Sequence, residues 1–303
     1  MNKNFLDRVT EIIDKDRVFT NEPMSKHTTF RIGGPADYFV CSENMGEVQK
    51  VICLCNEMEI PFYLLGKGSN LLVGDKGYRG VIIRLYKQMD KIEISGTRIK
   101  AQAGALLVKV SSEACKSGLT GLEFAGGIPG TLGGAVVMNA GAYGGEMKDV
   151  LEEVTVLTKE GEFLTLSKEE LELGYRTSII GRKGYIVLEV VLRLKEKNPD
   201  EIRAYMNELR EKRVTKQPLE YASAGSTFKR PEGHFAGQLI EQAGLRGFQV
   251  GDAQVSEKHC GFVINRGQAT AKDVTELIGE VSAKVEEKFG VTLEPEVKKL
   301  GEF

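Results

Sequence analysis

The sequence predicts an α+β fold, and three observations carry the prediction. Over the first hundred residues, short apolar runs of strand length alternate with amphipathic helical stretches. A block near 150–194 reads as successive strands with no long helix between them. Beyond residue 196 two long helical patterns bracket a polar, glycine-containing stretch, which places a domain boundary near 196.

The elements follow in order. Residues 3–14 put Phe5, Leu6, Val9, Ile12 and Ile13 on one helix face. A loop at 27–36 precedes a strand at 37–41. The helix at 45–58, with Met45, Val48, Val51, Ile52, Cys55 and Met58, leads to an apolar strand at 62–65. That β–α–β order predicts parallel pairing and a small α/β unit. Residues 81–85 and 98–103 read as strands, and 105–117 as a helix stopped by Gly118. Further strands lie near 153–158, 162–166 and 185–194, the last largely buried. Ser167 and Glu170 have capping-box spacing and predict a short turn of helix. Asn198 and Pro199 open a helix as N-cap and first residue. It turns Ile202, Tyr205, Met206 and Leu209 inward and ends in Arg210, Lys212, Arg213 and Lys216, a basic cluster that reads as a solvated face. The last helix, 271–289, carries Val274, Leu277, Ile278, Val281 and Val285 on one face, stops at Gly290, and is followed by an extended tail at 291–297.

Composition narrows the function. A length of 303 residues suffices for two or three domains with ample core. The net charge of −2 argues against a nucleic-acid role driven by phosphate neutralisation. Five cysteines and three scattered histidines show no metal-ligand spacing, so reduced thiols and no metal are expected. With no signal-peptide pattern and no apolar run near ~20 residues, the expectation is a cytoplasmic protein without a membrane partner. Glycine is in excess, 35 residues where average usage gives roughly 21.

Much of that glycine lies in residues 121–145, where nine of 25 positions are Gly and none is Lys, Arg or Asp. Such a run allows close backbone approach to a ligand, with N–H groups free to face a phosphate or a ring. It also reads as a tight crossover between strands. It lacks the Gly-Lys-Ser/Thr ending of a P-loop and the G-x-G-x-x-G of a dinucleotide turn, so a nucleotide site of another type is the reading adopted. A second glycine motif, Gly66-Lys67-Gly68-Ser69-Asn70, ends the strand at 62–65 and suits a pyrophosphate. A plain turn would look the same.

Three further segments mix glycine with polar groups: 174–178 (GYRTS), 224–231 (AGSTFKRP) and the tail around Glu294, Pro295 and Glu296. Each also reads as a turn, a surface ion pair or a cap. No G-x-S-x-G elbow is present, so Ser226, if catalytic, donates a proton instead of attacking.

Taken together, 27–37 (HTTFRIGGPAD), 66–73 (GKGSNLLV), 123–145, 174–178, 224–231 and 293–297 (LEPEV) resemble, in order, the UDP-N-acetylenolpyruvoylglucosamine reductase family of peptidoglycan precursor synthesis. The short interval between Arg176 and Ser226 resembles the compact, type II form of that family. The resemblance implies a two-part FAD-binding region of the vanillyl-alcohol-oxidase (PCMH) type plus a C-terminal α+β substrate-binding domain. It divides the chain into 1–85 with the tail 291–303, then 86–196, then 197–290. It implies FAD held by Gly66, Lys67, Gly68, Ser69, Asn70, Gly126, Gly127, Ile128, Pro129, Gly130, Gly133 and Gly134. NADPH is the implied reductant, and Arg176, Ser226 and Glu296 the implied catalytic residues. Lys216, Arg230 and Arg246 are the implied ligands of the UDP-sugar, although Arg230 stands where many relatives carry Asn. A monomer is expected. The rival readings are an FAD-dependent sugar or alcohol oxidase of the same fold and a nucleotide-binding regulator.

Overall fold

The computed structural model describes residues 3–303. Its chain forms two compact units, each with its own core.

The first unit takes the chain up to Thr20, then Tyr38–Lys67 and Gly80–Arg213. Its largest sheet is antiparallel, in the order Phe163–Ser167, Leu151–Leu157, Ile186–Arg193, Arg98–Gln102, Ile92–Ser95. Alternation selects the core face: Val154 lies opposite Val190 and Val190 opposite Ala101, all buried. The helices Met45–Glu57 and Leu107–Lys116 send Val48, Val51, Ile52, Val110 and Ala114 into the same core.

A second sheet runs Val18–Pro23, Pro35–Cys41, Tyr78–Arg84, Phe62–Leu65. Parallel pairing occurs here, but not between the strands that flank the helix Met45–Glu57. Phe62–Leu65 pairs in parallel with Tyr78–Arg84, Phe62 opposite Val81. The later strand takes the central place because Val81, Ile82 and Ile83 are apolar in succession and need cover on both faces. The reciprocal bonds of the Ser167–Glu170 box also form, yet the chain makes only a turn there. Glu172 takes a left-handed φ of 45°, which stops a helix before it starts.

The second unit takes Asn21–Asp37, Gly68–Arg79 and Val214–Phe303. A small antiparallel sheet in the order Ala222–Ser223, Val263–Asn265, Ala253–Val255, Gln249–Val250 packs on the helix Ala271–Phe289. That helix buries Val274, Leu277, Ile278, Val281 and Val285. It opens on a Thr270–Asp273 capping box and closes on Gly290 at a φ of 66°. The Asp75 carboxylate accepts the N–H groups of Ala271 and Lys272 at 2.8 and 3.0 Å, adding negative charge to the helix N-terminus. The C-terminal strand Lys298–Leu300 pairs in parallel with Leu71–Val73.

Candidate functional site

In the first unit the glycine-rich stretch is not loop throughout. Thr131 caps a short helix, Leu132–Val137, its side chain accepting the N–H of Gly134 at 3.5 Å. Gly133 packs so closely that a Cβ there would lie 2.8 Å from that of Ala103. Gly66, at the end of the strand Phe62–Leu65, abuts the same threonine, and a Cβ on Gly66 would collide with Thr131 Oγ1. Two glycine segments far apart in sequence thus meet with a hydroxyl and little side chain between them. A phosphate can approach closely where side chains are this small.

Upstream lies a 3₁₀ turn, Glu123–Gly127. Glu123 is buried with its carboxylate accepting from Thr120 Oγ1 at 2.5 Å and the Gly121 N–H at 2.8 Å. Gly126 and Gly127 face the helix Pro199–Lys216. A Cβ on Gly126 would come within 2.9 Å of Met206 Cε, and one on Gly127 within 2.8 Å of Arg213 Nη1. Ile128 and Gly130 are half-buried and Pro129 exposed, and the Gly130 carbonyl accepts the N–H of Leu107 at 3.0 Å.

Arg176 sits at the tip of a tight turn. Gly174 and Thr177 exchange backbone bonds of 3.1 and 3.3 Å, and Arg176 takes a φ of 54°. Its guanidinium lies 5.1 Å from the ring of Tyr175. The turn is anchored to the glycine stretch by Asn139, which is buried and donates from Nδ2 to the Gly174 carbonyl at 3.1 Å and to Glu146 at 2.6 Å. Asn139 was not singled out from the sequence. A lone amide inside an apolar run is the signal, because a buried amide needs partners.

The same unit holds a cleft of about 730 Å³ lined mainly by apolar groups, Ile60, Phe62, Leu64, Val137, Ile180 and Ile186 among them. Tyr63 also lines it, its hydroxyl pushed above its ordinary value by burial. The lining suits a flat aromatic ligand.

In the second unit Gly68 takes a φ of 66°, and its carbonyl accepts the N–H of Thr29 at 3.1 Å. Lys67 closes the preceding segment, half-buried like Ser69 and Asn70. Asn70 Nδ2 donates to the Glu296 carbonyl at 3.3 Å.

The segment around Ser226 lies against the C-terminal tail. The Glu296 N–H donates to the Thr227 carbonyl and the Lys229 N–H to the Glu294 carbonyl, both at 2.8 Å. Lys229 and Glu294 also form an ion pair. Ser226 and Glu296 are therefore brought onto neighbouring extended segments joined at the Phe228–Pro295 bridge. The Ser226 hydroxyl is exposed and donates only a long bond of 3.4 Å to the Phe228 carbonyl, so it is easily redirected.

His259, read from the sequence only as one of three scattered histidines, stands near Ser226. A Cβ built on Gly261 would lie 3.0 Å from His259 Cε1 and 3.6 Å from Ser226 Oγ. Burial first, then the charges of Lys216 and Arg246, hold the imidazole below its ordinary value. Nδ1 accepts the Gly261 N–H at 3.1 Å, which leaves the proton of the neutral ring on Nε2. Lys216 and Arg246 both lie within electrostatic reach of His259, whereas Arg230 is turned to the Phe235 ring at 3.9 Å. Arg246 is engaged by the Glu241 carboxylate and the Glu257 carbonyl.

The chain matches the family model described as UDP-N-acetylenolpyruvoylglucosamine reductase, C-terminal domain, over residues 217–300, and the FAD binding domain model over 36–167. It is 56% identical to the UDP-N-acetylenolpyruvoylglucosamine reductase of Agathobacter rectalis, with 100% of both chains covered. The crystal structure of the corresponding reductase from Thermus caldophilus matches with a TM-score of 0.80 and 41% identity, covering 92% of this chain and 97% of that one. p-Cresol methylhydroxylase with substrate bound is 15% identical at a TM-score of 0.50, covering 97% of this chain and 65% of that one. At that identity the likeness concerns the fold alone, and it makes the fold one of the p-cresol methylhydroxylase type.

Proposed function

The chain belongs to the UDP-N-acetylenolpyruvoylglucosamine reductase family, and on that premise we propose that it reduces the enolpyruvyl ether of UDP-N-acetylglucosamine to UDP-N-acetylmuramate, in peptidoglycan precursor synthesis, with NADPH as reductant and FAD as resident cofactor. The observation that carries the proposal is the pairing of the Ser226 segment with the tail, in which the Glu296 N–H meets the Thr227 carbonyl at 2.8 Å. It brings the backbone that carries an exposed hydroxyl against the backbone that carries a carboxyl, and the two groups suit delivering a proton and polarising a carboxylate.

The cofactor fits the chain's own residues. Gly66, Gly133 and Gly134 with the Thr131 hydroxyl suit its pyrophosphate, and the apolar cleft beside Phe62, Tyr63 and Ile180 suits its adenine. Bound there, FAD would supply the hydride chemistry that links NADPH to the β-carbon of the enolpyruvyl group. Arg176 stabilises the negative charge that then develops on the substrate's α-carbon and carboxylate. Glu296 hydrogen-bonds that carboxylate. Ser226 Oγ gives its proton to the α-carbon, and the enolate-like carbon is basic enough to take it. Lys216, Arg230 and Arg246 supply positive charge for the UDP diphosphate. An oxidase of the same fold needs a base beside a carbinol more than the proton donor read here in Ser226.

Incubating the protein with NADPH and the enolpyruvyl sugar should consume them in equal amounts. The product should be heavier by the mass of a hydride and a proton. NADPH consumption with no change in the mass of the sugar would refute the proposal.

A further inference from the structure

The helix Pro199–Lys216 presents one stripe, Ile202, Met206, Leu209 and Arg213, at the three- and four-residue spacing of a single face. Ile202 and Leu209 are buried, and the Met206 methyl approaches Gly126. Arg213 takes the next place on that apolar stripe, half-buried, with its guanidinium against Gly127. The other bases at this end of the helix behave differently. Arg210 and Lys212 are exposed, and Lys212 pairs with Glu208 at 2.5 Å.

Arg213 forms neither a hydrogen bond nor an ion pair with any described residue. Burial pulls its pKa below the ordinary value, opposed by Tyr143. A guanidinium drawn partly out of water with no protein acceptor adds nothing to the fold, and an apolar side chain would continue the stripe at less cost. Gly127 adds to the case. Any side chain there would press on the guanidinium, so the glycine is what lets the cation lie against the turn.

We infer that Arg213 is an anion ligand, taking an oxyanion of a nucleotide diphosphate beside the turn Glu123–Gly127. A guanidinium binds such oxygens through paired, charge-assisted hydrogen bonds, which also restore the partners it lacks. The inference rests on the reading of the chain as an enzyme that binds FAD and a UDP-sugar. Either compound supplies the chemistry. The cofactor is the nearer source, because Gly127 lies within the match to the FAD binding domain.

The test compares wild type with Arg213→Met, which keeps an apolar stem, and Arg213→Gln as a second variant. FAD and riboflavin affinities are read by fluorescence on rebinding to flavin-stripped protein, and UDP affinity by calorimetry on the holoenzyme. Urea unfolding of the stripped proteins checks the fold, and Arg213→Met should be at least as stable as wild type. The Kd for FAD should rise by about 10–100-fold, the range of a lost charge-assisted bond, with the Kd for phosphate-free riboflavin unchanged. A rise confined to UDP would support the anion role and name the substrate diphosphate as its source. Unchanged affinity for both FAD and UDP would overturn the assignment, as would an equal loss for FAD and riboflavin. Wild-type protein that holds neither FAD nor UDP would sink the parent reading itself.

Discussion

Ser226→Ala is expected to leave flavin reduction by NADPH at its wild-type rate and to slow reoxidation by the enolpyruvyl sugar by about 10²–10⁴-fold, the span of a lost general acid. The reductive half needs no proton at the α-carbon, so the hydroxyl has no part in it. In the oxidative half, an enolate without a proton donor can return its hydride, and the loss can exceed that range. The substitution costs the scaffold little. Ser226 is exposed, and the pairing with the tail runs through the backbone of Thr227 and Lys229, not through the serine hydroxyl. Stopped-flow traces at the flavin absorbance maximum resolve both steps. A variant slow with NADPH but normal with the sugar would place Ser226 on the cofactor side and end its assignment as proton donor.

Arg176→Ala is expected to lower kcat with the enolpyruvyl sugar by about 10²–10³-fold, the cost of removing a preorganised donor from a developing anion. Arg176→Lys should recover part of the loss, since it keeps the charge and forfeits the paired geometry. The turn itself should survive both changes. It is closed by the backbone bonds between Gly174 and Thr177 and anchored by Asn139, none of which uses the guanidinium. Steady-state kinetics separate the effects. A raised KM with kcat intact would make Arg176 a ground-state ligand only.

Some of this architecture was plain in the sequence and some was hidden, for physical reasons. The helix Ala271–Phe289 was legible to its ends, because a five-residue apolar face, a capping pattern and a stop glycine all agree. The helix Leu132–Val137 was not. Two of its six residues are glycine, which lowers helical propensity, and its stability comes from packing on Ala103 and Ala105. The strands Ala222–Ser223, Gln249–Val250, Ala253–Val255 and Val263–Asn265 span two or three residues each, too few for an alternation to register. The central place of Tyr78–Arg84 could not be read from the order of elements, because sheet order is decided by which strand most needs cover. The glycine motifs and the three polar segments were visible as anomalies, since neither core nor solvated surface calls for them. Arg213 was misread as solvated: its charge suggested water, while its position on the stripe of Ile202, Met206 and Leu209 pointed inward.

The central claim, that reducing equivalents from NADPH end on the enolpyruvyl carbon, is tested most directly in the absence of oxygen. The protein is first bleached with NADPH, and the enolpyruvyl sugar is then added. The oxidised flavin absorbance should return in full, with one sugar reduced for each flavin reoxidised. Absorbance that stays bleached with the sugar and returns only when air is admitted would contradict the account and favour an oxidase.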